Sequence, residues 1–103
     1  MPTIRGTLTG TSDVVIYAPP KHRKMVPTVI RLVNSGSNTV TITLKQVSPA
    51  NDEAVIDEIT LPSSQEFGMT LDSGVYDLDR GAKLVGALNA AGTVKYTITY
   101  RLK

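Results

Sequence analysis

The chain reads as an all-β protein, two packed antiparallel sheets of about eight strands with little or no helix, and three observations predict it. The first is the segment at residues 93–102. There Val94, Tyr96, Ile98, Tyr100 and Leu102 alternate without a break against Thr93, Lys95, Thr97, Thr99 and Arg101, and successive side chains on a strand point to opposite faces, so one face is buried and one wet. The second is composition: 13 Thr, 11 Val and 7 Ile are β-branched side chains that lose least conformational freedom on a pleated surface. The third is punctuation, with Gly, Pro, Asn and Ser clusters at short, even intervals, the spacing of a sandwich or barrel. At 103 residues the chain forms one domain around a single aliphatic core, with no room for a spacious cleft.

Residues 3–8 form the first strand, ended by the turn at Gly10, Thr11 and Ser12, and residues 1–11 as a whole are a candidate detached arm. Residues 13–18 form the second, stopped at Pro19 and Pro20. Residues 26–33 carry apolar side chains on both faces, Val29 and Val33 against Val26, Ile30 and Leu32, interrupted by Arg31 alone. A central strand with a neighbour over each face is expected there. The run Asn34, Ser35, Gly36, Ser37, Asn38 tolerates positive φ and predicts a hairpin into residues 39–47, where Val40, Ile42 and Leu44 face the core and Thr39, Thr41, Thr43 and Lys45 face water. Beyond a turn at 49–52, residues 54–61 alternate as a strand through Val55, Asp57, Ile59 and Leu61. A helix over 51–59, capped by Asn51 or Asp52 with Val55, Ile56 and Ile59 at helical spacing, competes with it; the strand is preferred. Residues 66–71 and 83–88 lie between turns at Pro62 to Ser64, Ser73–Gly74, Arg80–Gly81 and Ala90 to Gly92, and the alternating segment at 93–102 closes the series.

Eleven basic and nine acidic residues leave a formal charge of +2, far from the basic stripe that neutralising a phosphate backbone requires, so nucleic acid is not the expected partner. No apolar run approaches the roughly 18 residues that span a bilayer, and no charged-then-apolar leader opens the sequence; a soluble, unexported chain without a membrane role is expected. Cysteine is absent, which removes disulfides, thiolate metal sites and thiol catalysis together.

The groups that carry chemistry are sparse. His22 is the one histidine, inside Lys21, His22, Arg23, Lys24, whereas a metal site needs several ligands and a general base needs a cleft. This basic loop is a solvated connection or a positive tip that docks on an acidic surface, setting encounter rate and register. Asp72, Asp77 and Asp79 match no calcium-loop spacing, and Asp52, Glu53, Asp57 and Glu58 fit a solvent-facing edge that discourages stray strand pairing. Ser12, Ser63, Ser64 and Ser73 have no nucleophile-elbow context, and the glycines near Arg80 make no phosphate cradle. No catalytic residue, metal, cofactor or small-molecule substrate is therefore expected, and the chain reads as a non-enzyme. Tyr96 and Tyr100 share one face of the last strand, as core or as a subunit interface; Phe67, Met25 and Met69 are core fillers.

Two stretches carry a likeness. Asp13 to Pro20, with Tyr17 and Pro20 at its end, is followed by the basic loop, then Thr28 to Ser35 and Thr39 to Leu44; later come Ile59 to Pro62, Leu71, Gly81, Leu84 and Ala90 to Val94. Together they resemble small tailed-bacteriophage structural proteins that decorate or cement virion heads. One departure is Gly81–Ala82, where those proteins often carry Gly-Asp. The resemblance implies a jelly-roll-like sandwich, assembling as a homotrimer on the outside of a capsid, with the major capsid protein as partner and head stabilisation as function. Its expected capsid contacts are Thr3, Ile4, Arg5 and Leu8, where backbone adds to a sheet edge, and Lys21, His22, Arg23 and Lys24. A tail-fibre or baseplate module binding a receptor or carbohydrate is the alternative.

Overall fold

The computed structural model describes residues 2–71 and 76–103. Eight strands follow in order: β1 (Thr3–Leu8), β2 (Val14–Tyr17), β3 (Met25–Asn34), β4 (Val40–Val47), β5 (Glu53–Leu61), β6 (Glu66–Thr70), β7 (Lys83–Leu88) and β8 (Val94–Leu102). They form two four-stranded antiparallel sheets, β1-β8-β3-β6 and β2-β7-β4-β5. Strand partners are nested, β1 with β8, β2 with β7, β3 with β6 and β4 with β5, so the chain is one long hairpin folded over itself. That is the jelly-roll arrangement of a β-sandwich, the predicted fold class, and the described residues contain no helix.

Alternation builds the core. Leu8, Ile16, Ile30, Leu32, Val40, Ile42, Leu44, Leu84, Leu88, Val94 and Ile98 point between the sheets and are buried together, and the removal of this aliphatic area from water is the main stabilising term. Gly86 of β7 lets the sheets approach there, since a Cβ on it would meet Ile16 Cδ1 at 3.0 Å and Leu8 Cδ1 at 3.2 Å. Residues 51–59 do not form a helix: Asn51, at φ 66°, turns the chain, and β5 starts two residues later. The expected Ser73–Gly74 turn, together with Asp72 and Met1, lies outside the described residues.

Three expectations are corrected. Residues 34–38 do not join a hairpin, because β3 belongs to one sheet and β4 to the other. Turn chemistry specifies that the chain reverses, and here it reverses across the sandwich. Asn34, fully buried, makes that corner: its Nδ2 donates to Asn38 O and Leu61 O, each at 2.9 Å, and its Oδ1 accepts from Gly36 N at 3.0 Å. Its backbone bonds Gln65 and Ser64, so the β3–β4 and β5–β6 crossovers are tied through one side chain.

Second, the candidate arm is part of a sheet. Every residue of β1 pairs with β8, from Thr3 opposite Thr99 to Leu8 opposite Val94; the same alternation that would suit an arm buries Leu8 and half-buries Ile4. Third, β3 is central within its sheet, but only one of its faces is covered. Ile30 and Leu32 are buried, whereas Val29 is 39% exposed and Arg31 is exposed, because the sandwich has two layers and Val29 is on the outer side. An irregularity between Pro27 and Val29 shifts the alternation, and Met25, Val26 and Pro27 are consecutively buried.

Candidate functional site

Each sheet has an outer face, and the strand registers fix its composition. On the β1-β8-β3-β6 sheet, Thr3, Thr99, Val29 and Thr70 lie in one row across the strands. Arg5, Thr97, Arg31 and Gly68 form the next, and Thr7, Lys95, Val33 and Glu66 the third. The Oγ atoms of Thr3 and Thr99 are hydrogen-bonded at 3.1 Å, and Arg31 forms an ion pair with Glu66. Arg101, at the far end of β8, is exposed like Arg5, Arg31 and Lys95, and among the described residues in these rows Arg5, Arg31 and Lys95 stand against the one carboxylate of Glu66.

The face of the β2-β7-β4-β5 sheet has the opposite balance. Val15, Val85, Lys45 and Val55 are aligned across the strands, flanked by Ala87, Thr43 and Glu58 on one side and Lys83, Val47 and Glu53 on the other. Lys45 Nζ binds Asp13 Oδ2 at 2.8 Å and also Glu53, and these two hydrogen-bonded carboxylates hold its pKa above the ordinary lysine value. Asp13, Glu53 and Glu58 thus outnumber Lys45 and Lys83. Val15 and Val55 remain 52% and 61% exposed beside them.

The expected contact residues distribute unevenly. Thr3 and Arg5 are exposed on the cationic outer face, Ile4 is half-buried toward the core, and Leu8 is 1% exposed, so Leu8 is corrected from contact to core. The free side of β1 remains a sheet edge. Lys21 and His22 are exposed, Arg23 and Lys24 half-buried, and the loop is pinned by backbone bonds between Lys24 and Lys103 in both directions, from Gly81 N to Arg23 O, and by Arg80 donating to His22 O. Gly81, at φ +75°, lies with Lys21 O only 2.8 Å from where a Cβ would stand. The basic loop and the start of β1 lie at the same end of the sandwich, where β8 finishes.

Tyr96 and Tyr100 are each 7% exposed and belong to the core, so of the two readings the subunit interface is set aside and core holds: the inward positions of β8 point between the sheets. The Tyr100 ring packs on Tyr17 with centroids 4.6 Å apart, and the hydrogen bond with Tyr17, followed by burial, pushes its pKa up to about 12. Tyr76 is raised to about 12 by burial and by the bond it donates to Asp57. Asp57 is thereby half-buried and bonded, while Glu53 and Glu58 of the same acidic stretch are exposed along edge strand β5. Asp79 accepts from Gln46 Nε2 at 2.7 Å and its N–H donates to Gln46 Oε1. Ser63 donates to Gly36 O.

Sequence reasoning singled out neither Arg31 and Lys95 as partners of Arg5 nor Lys45 as a bridge. The signal for Lys95 and Arg101 was present in the alternation at 93–102; what was missing was which strands flank it.

No protein-family model and no curated protein matches this sequence. Among solved structures the chain is similar to PirA, at a TM-score of 0.62 and 14% identity, covering 96% of this chain and 93% of that one. It is also similar to a structure reported under "Bacillus endospore appendages form a novel family of disulfide-linked pili", at 0.57 and 15%, covering 96% and 82%. Both likenesses concern the fold.

Proposed function

We propose that this chain is a non-enzymatic virion structural protein that binds the outer surface of a phage capsid and stabilises the head. The observation that carries the reading is the pair of outer sheet faces, rungs of Thr and Val set with charge at fixed register, which offer adhesive area of the kind protein docking uses. The resemblance of residues 13–99 to phage decoration proteins points the same way. A ligand that binds only the assembled shell stabilises it by mass action, about 2.7 kcal/mol at a hundredfold excess over Kd, and many copies per shell multiply the effect.

Aromatic placement favours docking on protein over stacking on sugars: Tyr76, Tyr96 and Tyr100 are buried, and Tyr17 and Phe67 are half-buried. The appendage pili are disulfide-linked according to their description; this sequence has no cysteine, so these residues form no such links. Incubating the purified protein with expanded empty capsids and, separately, with host cells tests the reading. Co-sedimentation with heads and a raised shell melting temperature are expected; binding to cells or glycans with none to heads refutes it.

A further inference from the structure

The geometry points to head-to-tail stacking of copies of this chain, the cationic outer face of one sandwich seated on the acidic outer face of the next. Among the described residues, three cations, Arg5, Arg31 and Lys95, accompany one carboxylate, Glu66, in the rows of the β1-β8-β3-β6 face. Three carboxylates, Asp13, Glu53 and Glu58, accompany two cations on the β2-β7-β4-β5 face. Cationic face on cationic face, or acidic on acidic, sets like charges opposite one another, which disfavours a two-fold contact. The heterologous pairing sets unlike charges together.

Shape and apolar content agree with the charges. The molecule extends 40 × 26 × 19 Å, so its broad side offers on the order of 1,000 Å², above the roughly 800 Å² per partner of a stable interface. Val29 on one face and Val15 and Val55 on the other are large apolar side chains left 39%, 52% and 61% exposed, and stacking withdraws all three from water. Lys45 is already committed to Asp13 and Glu53, which leaves Glu58 as the acidic group with the least internal compensation. Heterologous contacts close into rings only when the mating surfaces are inclined to one another; these lie on opposite sides of a slab, so the product is an open stack.

This inference does not depend on a capsid partner and is tested with the purified chain alone. Weight-average mass is followed against protein concentration by sedimentation at about 10 mM salt, where charges act over roughly 30 Å, and at about 1 M, where they act over roughly 3 Å. Two variants are compared, R5E/K95E on the cationic face and E53Q/E58K on the acidic face, the latter leaving Lys45 its bond to Asp13. The expected result is a mass that climbs past dimer and trimer without plateau at low salt and collapses at high salt. Each variant alone is monomeric, and an equimolar mixture regains stacking because every contact is again between unlike faces. A monomer at all concentrations, a plateau at a closed dimer or trimer, or a mixture that stays monomeric overturns it. Should a variant melt below the wild type, the salt and concentration dependence of the wild type decides.

Discussion

Tyr96 of β8 stands directly opposite Gly6 of β1 and lays its ring across it, so that a Cβ on residue 6 would collide with the phenolic oxygen and Cζ. An aromatic covering a cross-strand glycine compensates the packing and stiffness that glycine lacks on an edge strand. Gly6→Ala forces the buried ring to move and is expected to cost about 1–3 kcal/mol, the usual range for overpacking. In the Tyr96→Val background the same substitution should cost much less. Denaturant midpoints of the four proteins in this double-mutant cycle measure the coupling.

Asn34→Ala should be among the most damaging single changes in the chain. It strands the buried carbonyl of Leu61 and the part-buried carbonyl of Asn38 and N–H of Gly36, and a fully buried group left so costs roughly 1–3 kcal/mol. The urea midpoint should fall with the m-value unchanged. Asn34→Asp should be no better, since a carboxylate cannot donate to the two carbonyls.

Stability should decline from about pH 10 to about pH 12. Tyr76 and Tyr100 hold their protons to about pH 12 in the folded chain against 10.0 ordinarily, so above pH 10 the unfolded chain releases protons that the folded chain retains, and the balance shifts toward unfolding. Both contributions are complete below pH 10. The expected outcome is a falling melting temperature across this window, flattened in Tyr76→Phe/Tyr100→Phe, and two phenolates that appear late in a spectrophotometric titration.

Gly81→Ala should cost about 1–2 kcal/mol from the left-handed backbone alone, and more because Lys21 O lies 2.8 Å from the new Cβ. Since Gly81 N also holds Arg23 O, the basic loop should loosen locally. Hydrogen exchange at the Gly81 and Lys24 amides, faster in the variant while β4 and β7 remain protected, checks this.

The strands were legible because their period of two is written in side-chain polarity. Lys95 and Arg101 fall on one face and Tyr96 and Ile98 on the other whatever the neighbours are. Pairing was not legible. The Asn34 to Asn38 run announces a reversal, yet only the core on both sides of the corner decides whether β4 returns beside β3 or crosses to the other sheet. Burial of Asn34 follows from that crossing and leaves no trace in local composition. The charge contrast between the outer faces has the same origin: Arg5, Lys95 and Arg31 are far apart in sequence and become neighbours through the β1-β8-β3 order. Tyr96 and Tyr100 obey the alternation and are inside for that reason.

Strand β8 lies between β1 and β3 although it is synthesised after both. Until the ribosome has released residues 94–102, β1 has no ladder partner and β3 has only β6, so the nascent chain carries two exposed strand edges beside a half-built core. Early termination anywhere before residue 94 removes the middle of a sheet rather than its margin. The truncated product is then a substrate for chaperones and proteases instead of a slightly shorter protein.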